Sequence, residues 1–408
     1  MNPSMPQRIA IVSRRFWPIS GPTEHFAADL GDHFSAAGHK VRLFTAAWQR
    51  GWPTDCSFRE FEIRRLNRPS SGPWGTYRYQ RALIRELDHY QPDAVLMFGN
   101  GEDLPVVRKL VGDSVPCVVR IDHRAVSQKS RTAQKSLRLN LADAILCDSL
   151  RTRNELVLRK AILPSKVELV SDGVEFQESY QRSLLRQANS RTALGDAHPI
   201  LRVDPAQPLV VTGAPMDGDG GVCDLVKAWP IVLESFPKAK LWILGDGPRG
   251  RKVWDTISDL DLIYTAIMPG YFDDLDEIFQ AADLYVHPMR APVNCRCLYE
   301  AIAKGVCPLV TTTSTEPIPK RDSEGRRIGQ TIQVQRDATG IVAPHGNPSA
   351  LGAAITMALR NSDKRTQLGS NAAMQFQAAT ELNRIGNVFL NTLLGVEQTQ
   401  NASGAPLS

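Results

Sequence analysis

The sequence predicts an α/β protein of two doubly wound, Rossmann-like domains that face a shared cleft. Short apolar segments alternate with helix-like segments along most of the chain. This alternation lapses once near the middle and then restarts. The length of 408 residues also exceeds the roughly 100–200 residues of one ordinary domain. Because strands separated by helices imply right-handed crossovers, both sheets are expected to be mostly parallel.

The N-terminal domain is expected to span residues 8–180. Each predicted strand is a short apolar run, and the first helix ends at Gly38. The expected strands are residues 8–13, 41–45, 94–98, 117–121 and 144–147. The expected helices are residues 24–37, 77–90, 124–138 and 151–159.

Residues 181–206 are polar without clear periodicity, and we expect an interdomain linker or insertion there. A C-terminal domain (207–379), a closing helix (380–395) and a disordered tail (396–408) should follow. The expected strands are residues 208–212, 241–244, 263–267, 284–287 and 307–310. The expected helices are residues 222–234, 298–304, 348–360, 364–379 and 385–394.

Composition restricts the class of protein. A hydrophobic fraction of 42% with 22% charged residues is typical of a water-soluble globular protein. No apolar run approaches the roughly 18 residues that span a bilayer, and no secretory signal precedes Arg8, so a cytoplasmic location is expected. The seven cysteines show no zinc spacing. We interpret them, including Cys295 and Cys297 in an expected loop, as core or incidental thiols.

Positive charge is concentrated in the first half of the chain. Residues 1–180 carry a net charge of +6, and the remainder carries −1. The densest basic run is the expected helix Arg124 to Arg138. It is either a solvated helix face or a peripheral contact with phosphates or an anionic membrane that carries a lipid-linked acceptor. Nucleic-acid binding is disfavoured because the run has no aromatic stacking partners.

Residues 281–311 contain the most informative local pattern. A short apolar strand (284–287) is followed by an expected helix (298–304) that Gly305 ends. Glu300 is expected in the first turn of this helix. Because ligands of parallel α/β sheets bind between strand ends and the following helices, Glu300 is a candidate ligand-binding carboxylate. The alternative is a solvated glutamate in an ordinary βαβ unit.

Five short motifs occur in an order that resembles the GT-B glycosyltransferases of the large retaining group called family 4. They are Gly21 with Glu24, residues 142–149, residues 170–174, residues 244–248 and residues 298–305. The resemblance extends over residues 8–394 and implies the two-Rossmann GT-B fold. It also implies that a nucleotide sugar binds the C-terminal domain and an acceptor the N-terminal domain. No cofactor is implied, since the nucleotide sugar is a substrate, and no metal site is expected. The alternative is a divalent cation at the acidic, glycine-rich loop of residues 217–221, which lacks the length and closing glutamate of a calcium loop.

The resemblance assigns roles to individual residues. Glu300 is expected to accept hydrogen bonds from the donor ribose, because two carboxylate oxygens can take vicinal hydroxyl groups. His123 is expected to act beside the donor sugar or its leaving phosphate, although a structural histidine is the alternative. For the glycines at 245 and 247, the alternative is a tight turn that requires glycine. The further donor-binding positions are Gly21, Gly213, Gly245, Asp246, Gly247, Arg290 and Leu298.

The sequence departs from the family where the donor phosphates and sugar are held. Ala214 replaces an arginine, Gly220 a lysine, Pro292 a glutamate and Pro22 a glycine. Losing such cations ordinarily removes several kcal/mol of transition-state stabilisation. The nearby arginines that could contact a phosphate instead are Arg14, Arg15, Arg290 and Arg296.

Three functions follow from these motifs and departures. The first is a retaining glycosyltransferase that acts on a glycan or lipid-linked acceptor. The second is a catalytically degenerate GT-B protein that binds or scaffolds in a glycan-assembly pathway. The third is another GT-B activity, such as sugar-nucleotide epimerisation or hydrolysis.

An arginine restored at Ala214 should tighten diphosphate binding if the site has merely decayed, and weaken it if the pocket has been rebuilt.

Overall fold

The computed structural model describes residues 5–67, 73–122, 138–159, 162–176, 183–214, 216, 221–272, 274–289, 295–312 and 334–395. The chain divides into two compact units. The first is built mainly from Thr23–Val170, together with Met1–Ile19 and the chain from Asn383 onward. The second consists of Ser171–Leu382 and the short segment Ser20–Pro22. The chain thus changes unit after Val170 and changes back after Leu382.

The first unit contains an eight-stranded sheet in the order β3-β4-β2-β1-β5-β6-β7-β8. Every neighbouring pair is parallel except the β3–β4 hairpin, which the sequence did not predict. The strands are β1 (Arg8–Val12), β2 (Lys40–Ala47), β3 (Asp55–Phe58), β4 (Phe61–Asn67), β5 (Ala94–Phe98), β6 (Cys117–Ile121), β7 (Ala144–Cys147) and β8 (Val167–Leu169).

Helices of the first unit include the last described helix of the chain. Phe389 of that helix packs edge-on against Phe26, with 5.4 Å between ring centroids, and both rings are fully buried. The expected closing helix therefore completes the core of the first unit. The helices are α1 (Pro22–Ala36), α2 (Pro73–Tyr90), α3 (Leu104–Val111), α4 (Leu150–Asn154, continued by a π-helical turn, Glu155–Arg159) and α12 (Leu382–Leu394).

The second unit contains a six-stranded, fully parallel sheet in the order β11-β10-β9-β12-β13-β14. Its strands are β9 (Leu209–Thr212), β10 (Lys240–Leu244), β11 (Ala266–Gly270), β12 (Leu284–His287), β13 (Pro308–Thr312) and β14 (Ile341–Pro344). Its helices are α5 (Leu184–Ala197), α6 (Val222–Ser235), α7 (Gly250–Asp259), α8 (Asp276–Ala281), α9 (Arg296–Ala303), α10 (Pro348–Arg360) and α11 (Ser362–Thr380).

Both faces of this second sheet are buried. Val210 and Ile243 belong to one hydrophobic cluster, whereas Val211 and Trp242 belong to another. Because successive side chains of a strand point to opposite faces, helices must cover both sides of the sheet. The predicted fold class of two parallel-sheet α/β domains is confirmed.

The segment expected to be a linker is largely helical. Helix α5 begins after Ser183, whose side chain accepts a hydrogen bond from the N–H of Arg186. Arg191 in the same helix is buried and pairs with Asp283 at 2.7 Å. The apolar periodicity is weak because this helix docks through a buried ion pair as well as through apolar side chains.

Other boundaries also differ from expectation. The strand expected at residues 263–267 lies at Ala266–Gly270, and α9 begins at Arg296, two residues before the expected start. Within the described ranges, no helix is both long enough and apolar enough to cross a bilayer. The basic run lies outside the described residues except for Arg138, and the tail 396–408 lies outside them altogether.

Candidate functional site

The candidate site of the second unit lies at the carboxyl ends of three adjacent strands. β9, at the centre of these three, pairs in parallel with β10 on one side and β12 on the other. Gly213 follows β9, Gly245 follows β10, and His287 ends β12. Because parallel strands end at one edge, the donor-binding glycines predicted at 213 and 245 are brought together there.

Gly213 is in close contact with α9. A Cβ atom at this position would lie 2.9 Å from the sulfur of Cys297. The Gly213 N–H donates to the Tyr285 hydroxyl at 3.3 Å. Burial raises the pKa of Tyr285 well above its usual value, so this hydroxyl stays protonated. The packing of α9 alone therefore requires glycine at this position.

The turn after β10 requires its glycines for two different reasons. Gly245 has φ = +84°, a backbone conformation that favours glycine. A Cβ at Gly247 would lie 2.6 Å from the carbonyl oxygen of Met216, which also accepts the Arg249 N–H at 3.0 Å. The Asp246 carboxylate accepts the Gly247 N–H at 2.6 Å. These bonds join the loops after β9 and β10 into one structure.

Ala214 is enclosed in the hydrophobic core. It is 2% exposed and belongs, like Met216, to the cluster beneath α6. An arginine in this backbone arrangement would place its charge among apolar side chains, which is costly. The position where the family carries a cation has therefore become part of the core. The other altered positions, Gly220 and Pro292, lie outside the described residues.

Helix α9 carries the candidate ribose ligand, Glu300. Because α9 begins at Arg296, Glu300 lies in its second turn and not in its first. The Arg296 Nε donates to Glu300 Oε1 at 2.6 Å, and Arg296 Nη1 donates to the Gly173 carbonyl at 3.2 Å. The side chains are 9% and 19% exposed respectively. Arg296 thus orients a carboxylate that is largely shielded from solvent.

Leu298 lies between these two residues and is 7% exposed in the second hydrophobic cluster. It anchors the helix, and its N–H donates to the Cys295 carbonyl at 3.0 Å. The pairing of Arg296 with Glu300 was not predicted, although their spacing of four residues was a visible signal.

Arg14 is held by carboxylates within the first unit. It donates to both Asp103 oxygens, at 2.8 and 2.6 Å, and to Glu102 at 2.5 Å. Its guanidinium also stacks over Tyr79, 5.3 Å from the ring centroid. Arg14 is therefore a structural residue and a poor candidate for a phosphate ligand. Arg15 is more exposed and lies 3.5 Å from Glu24.

The N-terminal loop and the end of β6 meet within the first unit. Thr23, two residues after the buried Gly21, donates to Asp122 at 3.2 Å. Asp122 follows β6 and directly precedes His123 in the sequence. His123 and Arg290 themselves lie outside the described residues, so their roles stay predictions.

Two family models match the chain, one in each half. The model described as Glycosyltransferase Family 4 matches residues 23–178. The model described as Glycosyl transferases group 1 matches residues 198–375. The second match contains every donor-binding position discussed above in the second unit.

Among curated proteins, the chain is similar to sulfoquinovosyl transferase SQD2 of Arabidopsis thaliana, with 22% identity over 186 residues. The matching region covers 45% of this chain and 34% of that protein. The chain therefore matches only about a third of the relative's length.

Two solved structures illustrate the fold. Sucrose-phosphate synthase from Thermosynechococcus elongatus superposes with a TM-score of 0.71 at 18% identity, covering 94% of this chain and 97% of that one. The Anabaena protein Alr3699/HepE, solved with UDP and glucose, gives 0.69 at 14% identity, covering 96% and 100%. At such identities the likeness establishes the fold, and the predicted GT-B class is confirmed.

Proposed function

The chain belongs to the GT-B glycosyltransferases of the family 4 and group 1 type, and from this we propose that it transfers a sugar from a nucleoside-diphosphate sugar to an acceptor hydroxyl group. The observation that carries the proposal is the Glu300 carboxylate, held by Arg296 on the helix that follows the central strands. A shielded, oriented carboxylate is suited to bind the vicinal hydroxyls of a ribose. The structure of the similar Anabaena protein contains UDP, so uridine is the first nucleoside of the donor to test.

Helix N-termini supply positive potential for the donor diphosphate in this proposal. Helix α6 begins after Gly221, which has no side chain to act as a cap, directly following the loop in which the family cations are replaced. The side chain of Cys295, the residue before α9, makes no capping hydrogen bond within the described part of the chain. Uncapped N–H groups and the helix dipole favour an anion at such positions. They would stabilise charge that grows on the leaving diphosphate.

We propose that the acceptor is a glycan or a lipid-linked molecule. The transfer would retain the anomeric configuration of the sugar and would belong to polysaccharide biosynthesis. Retention and pathway rest on the likeness to family 4. The net charge of +6 in residues 1–180 supports peripheral contact with an anionic membrane or an anionic acceptor. A cytoplasmic location is supported by the seven free cysteines, which are typical of proteins in reducing compartments.

A second function, donor binding without transfer, is favoured by Ala214. This position is enclosed in the core and offers no charge to a leaving diphosphate. A protein of this kind would still bind the nucleotide through Glu300. It would release no diphosphate in the presence of acceptors.

Calorimetric titration tests the proposal, using UDP, ADP and GDP and their hexose conjugates. A transferase should bind at least one of these nucleotide sugars. It should release the nucleoside diphosphate from that nucleotide sugar when mixed glycan acceptors are added. Binding without release would favour the second function. Absence of binding by all six compounds at near-millimolar concentration would contradict both.

A further inference from the structure

Two cysteines and a histidine lie together at the beginning of α9. Cys295 is the residue before the helix, and Cys297 is the second residue within it. The Cys295 thiol lies 4.0 Å from the Gly213 carbonyl, and the Cys297 sulfur lies 2.9 Å from the Cβ position of Gly213. Both thiols are therefore directed at Gly213.

The backbone favours this convergence. In a regular helix, side chains two residues apart point to nearly opposite sides. Cys295 has extended dihedral angles (φ −130°, ψ 110°), which redirect its side chain toward that of Cys297. The helical Arg296 between them sets a Cα–Cα separation of about 5.4 Å. This value lies inside the roughly 4.4–6.8 Å range of protein disulfides.

The surroundings favour a thiolate on Cys295. A hydrogen bond from Cys297 holds the pKa of the Cys295 thiol well below its usual value, with further contributions from His287 and the Leu298 N–H. Burial of Cys295 opposes this effect but does not reverse it. The same interaction, with burial, raises the pKa of Cys297. The pair thus resembles a nucleophilic thiolate beside a protonated thiol.

His287 lies beside this pair and is a second unusual feature of the place. Its side chain is 4% exposed, and among the described residues neither ring nitrogen meets hydrogen-bond geometry, so its interaction with the Cys295 thiol is electrostatic. The ring stacks on Tyr285 at 6.3 Å with an interplanar angle of 17°. A buried polar group without a bond is costly in a core that serves only for packing. The initial interpretation of these cysteines as incidental core thiols does not account for it.

We propose that Cys295 and Cys297 form a reversible redox site that closes to a disulfide on exposure to hydrogen peroxide. The Cys295 thiolate attacks peroxide, its sulfur gains one oxygen as the O–O bond breaks, and hydroxide leaves. The Cys297 thiol then attacks this sulfenic sulfur, and the S–S bond forms as water is released. Two electrons pass from the sulfurs to the peroxide. Peroxide is nearly as small as water and can reach the half-buried Cys297 and its neighbour.

The disulfide should control donor binding, a consequence that depends on the proposed function. Cys297 packs against Gly213, and Glu300 follows on the same helix. Closing the disulfide takes the Cys297 sulfur out of its packing contact with Gly213 and so changes how α9 meets the loop after β9. We expect UDP to bind the oxidised protein at least about tenfold more weakly.

Mass spectrometry of the full chain tests the site without substitution. Trypsin cleaves after Arg296, so the disulfide would join the peptide of residues 291–296 to that of residues 297–304. Peroxide should produce this joined pair, and dithiothreitol should separate it. Cys56, half-buried on β3, is the matched control thiol, and Cys295 should oxidise at least about tenfold faster. Absence of the joined pair, or equal rates, would overturn the proposal.

Calorimetry with UDP on reduced and oxidised protein separates the two proposals. If the joined peptides form but UDP affinity is unchanged, the control of binding is refuted. If the reduced protein binds no nucleotide, the proposed function fails, while the peptide result still decides the redox site. Cys297→Ser should abolish the joined pair and the effect of peroxide on UDP affinity. Cys56→Ser, on β3 and outside the proposed binding residues, should preserve both.

Discussion

Arg296 and Glu300 lie one turn apart on α9 and share a hydrogen bond of 2.6 Å between Nε and Oε1. Arg296 is also tied to the Gly173 carbonyl, so it connects the carboxylate to the backbone that enters the second unit. Both side chains are shielded from solvent. This pair fixes the direction of the carboxylate on which the proposed donor site depends.

Arg296→Ala should lower stability and weaken nucleotide binding. Removing the guanidinium takes a charge-assisted hydrogen bond away from a shielded carboxylate, at a cost of about 1–3 kcal/mol of unfolding free energy. UDP affinity should fall about tenfold as Glu300 loses its orientation. Denaturant melts and calorimetry measure both effects. The matched control is Arg251→Ala, which breaks the highly exposed Arg251–Asp255 pair and should cost less than about 1 kcal/mol. Equal costs for the two variants would refute the structural importance of Arg296.

Ala214→Arg should destabilise the protein and should not restore a phosphate site. The side chain would enter the cluster that contains Met216, at a cost of about 3 kcal/mol or more. Thermal melts and UDP titration provide the measurement. Ala353→Arg, on the exposed side of α10, is the control and should be nearly neutral. Tighter UDP binding by the Ala214 variant would instead indicate a decayed site that can be repaired.

Gly221→Ala should be far more damaging than Gly38→Ala. Both glycines have positive φ, +50° and +90°, so both substitutions strain the backbone. The new Cβ at Gly221 would also collide with the Pro288 carbonyl, whereas Gly38 faces open space. We expect losses of about 3 kcal/mol or more and about 1 kcal/mol respectively. Similar denaturation midpoints would show that the contact with Pro288 does not constrain the start of α6.

Cys295 should react with iodoacetamide at lower pH than the other thiols. Because its pKa is lowered, its thiolate persists to lower pH than that of an ordinary thiol, whose reactivity falls about tenfold per pH unit below its pKa. Burial raises the pKa of Cys117 to about 11, so this residue should stay unmodified throughout. Peptide mapping after timed alkylation measures the rates. A steep fall in Cys295 modification below pH 8 would contradict the lowered pKa.

The sheet strands were the most predictable part of the fold. The strands at Ala94–Phe98, Cys117–Ile121, Ala144–Cys147 and Leu284–His287 have the bounds expected from the sequence. Each is a short, mostly apolar run in a parallel sheet, and this pattern is visible without tertiary information. Helix α5 was not predicted because a charged residue, Arg191, occupies one of its buried positions. Its ion pair with Asp283 makes this burial possible, and that pairing is not visible in the local sequence.

The candidate site was predictable in its location but not in its contacts. Glycines after β9 and β10 and the carboxylate at Glu300 were identified from local motifs. The hydrogen bonds from Arg14 to Asp103, 89 positions along the chain, leave no signal in the local sequence. The start of α9 was misplaced because Cys295 and Arg296 do not carry an ordinary capping pattern. Contacts between distant segments therefore determine which side chains are available to bind a ligand.

The role of Glu300 in donor binding is measured by titration of UDP-glucose into the wild-type protein and into Glu300→Ala. The wild type should bind measurably and the variant at least about tenfold more weakly, because the ribose loses its carboxylate partner. Circular dichroism should show that the variant stays folded, and Asp255→Ala on an exposed helix should bind as the wild type does. Equal affinity of the wild type and the Glu300 variant would show that Glu300 does not hold the donor.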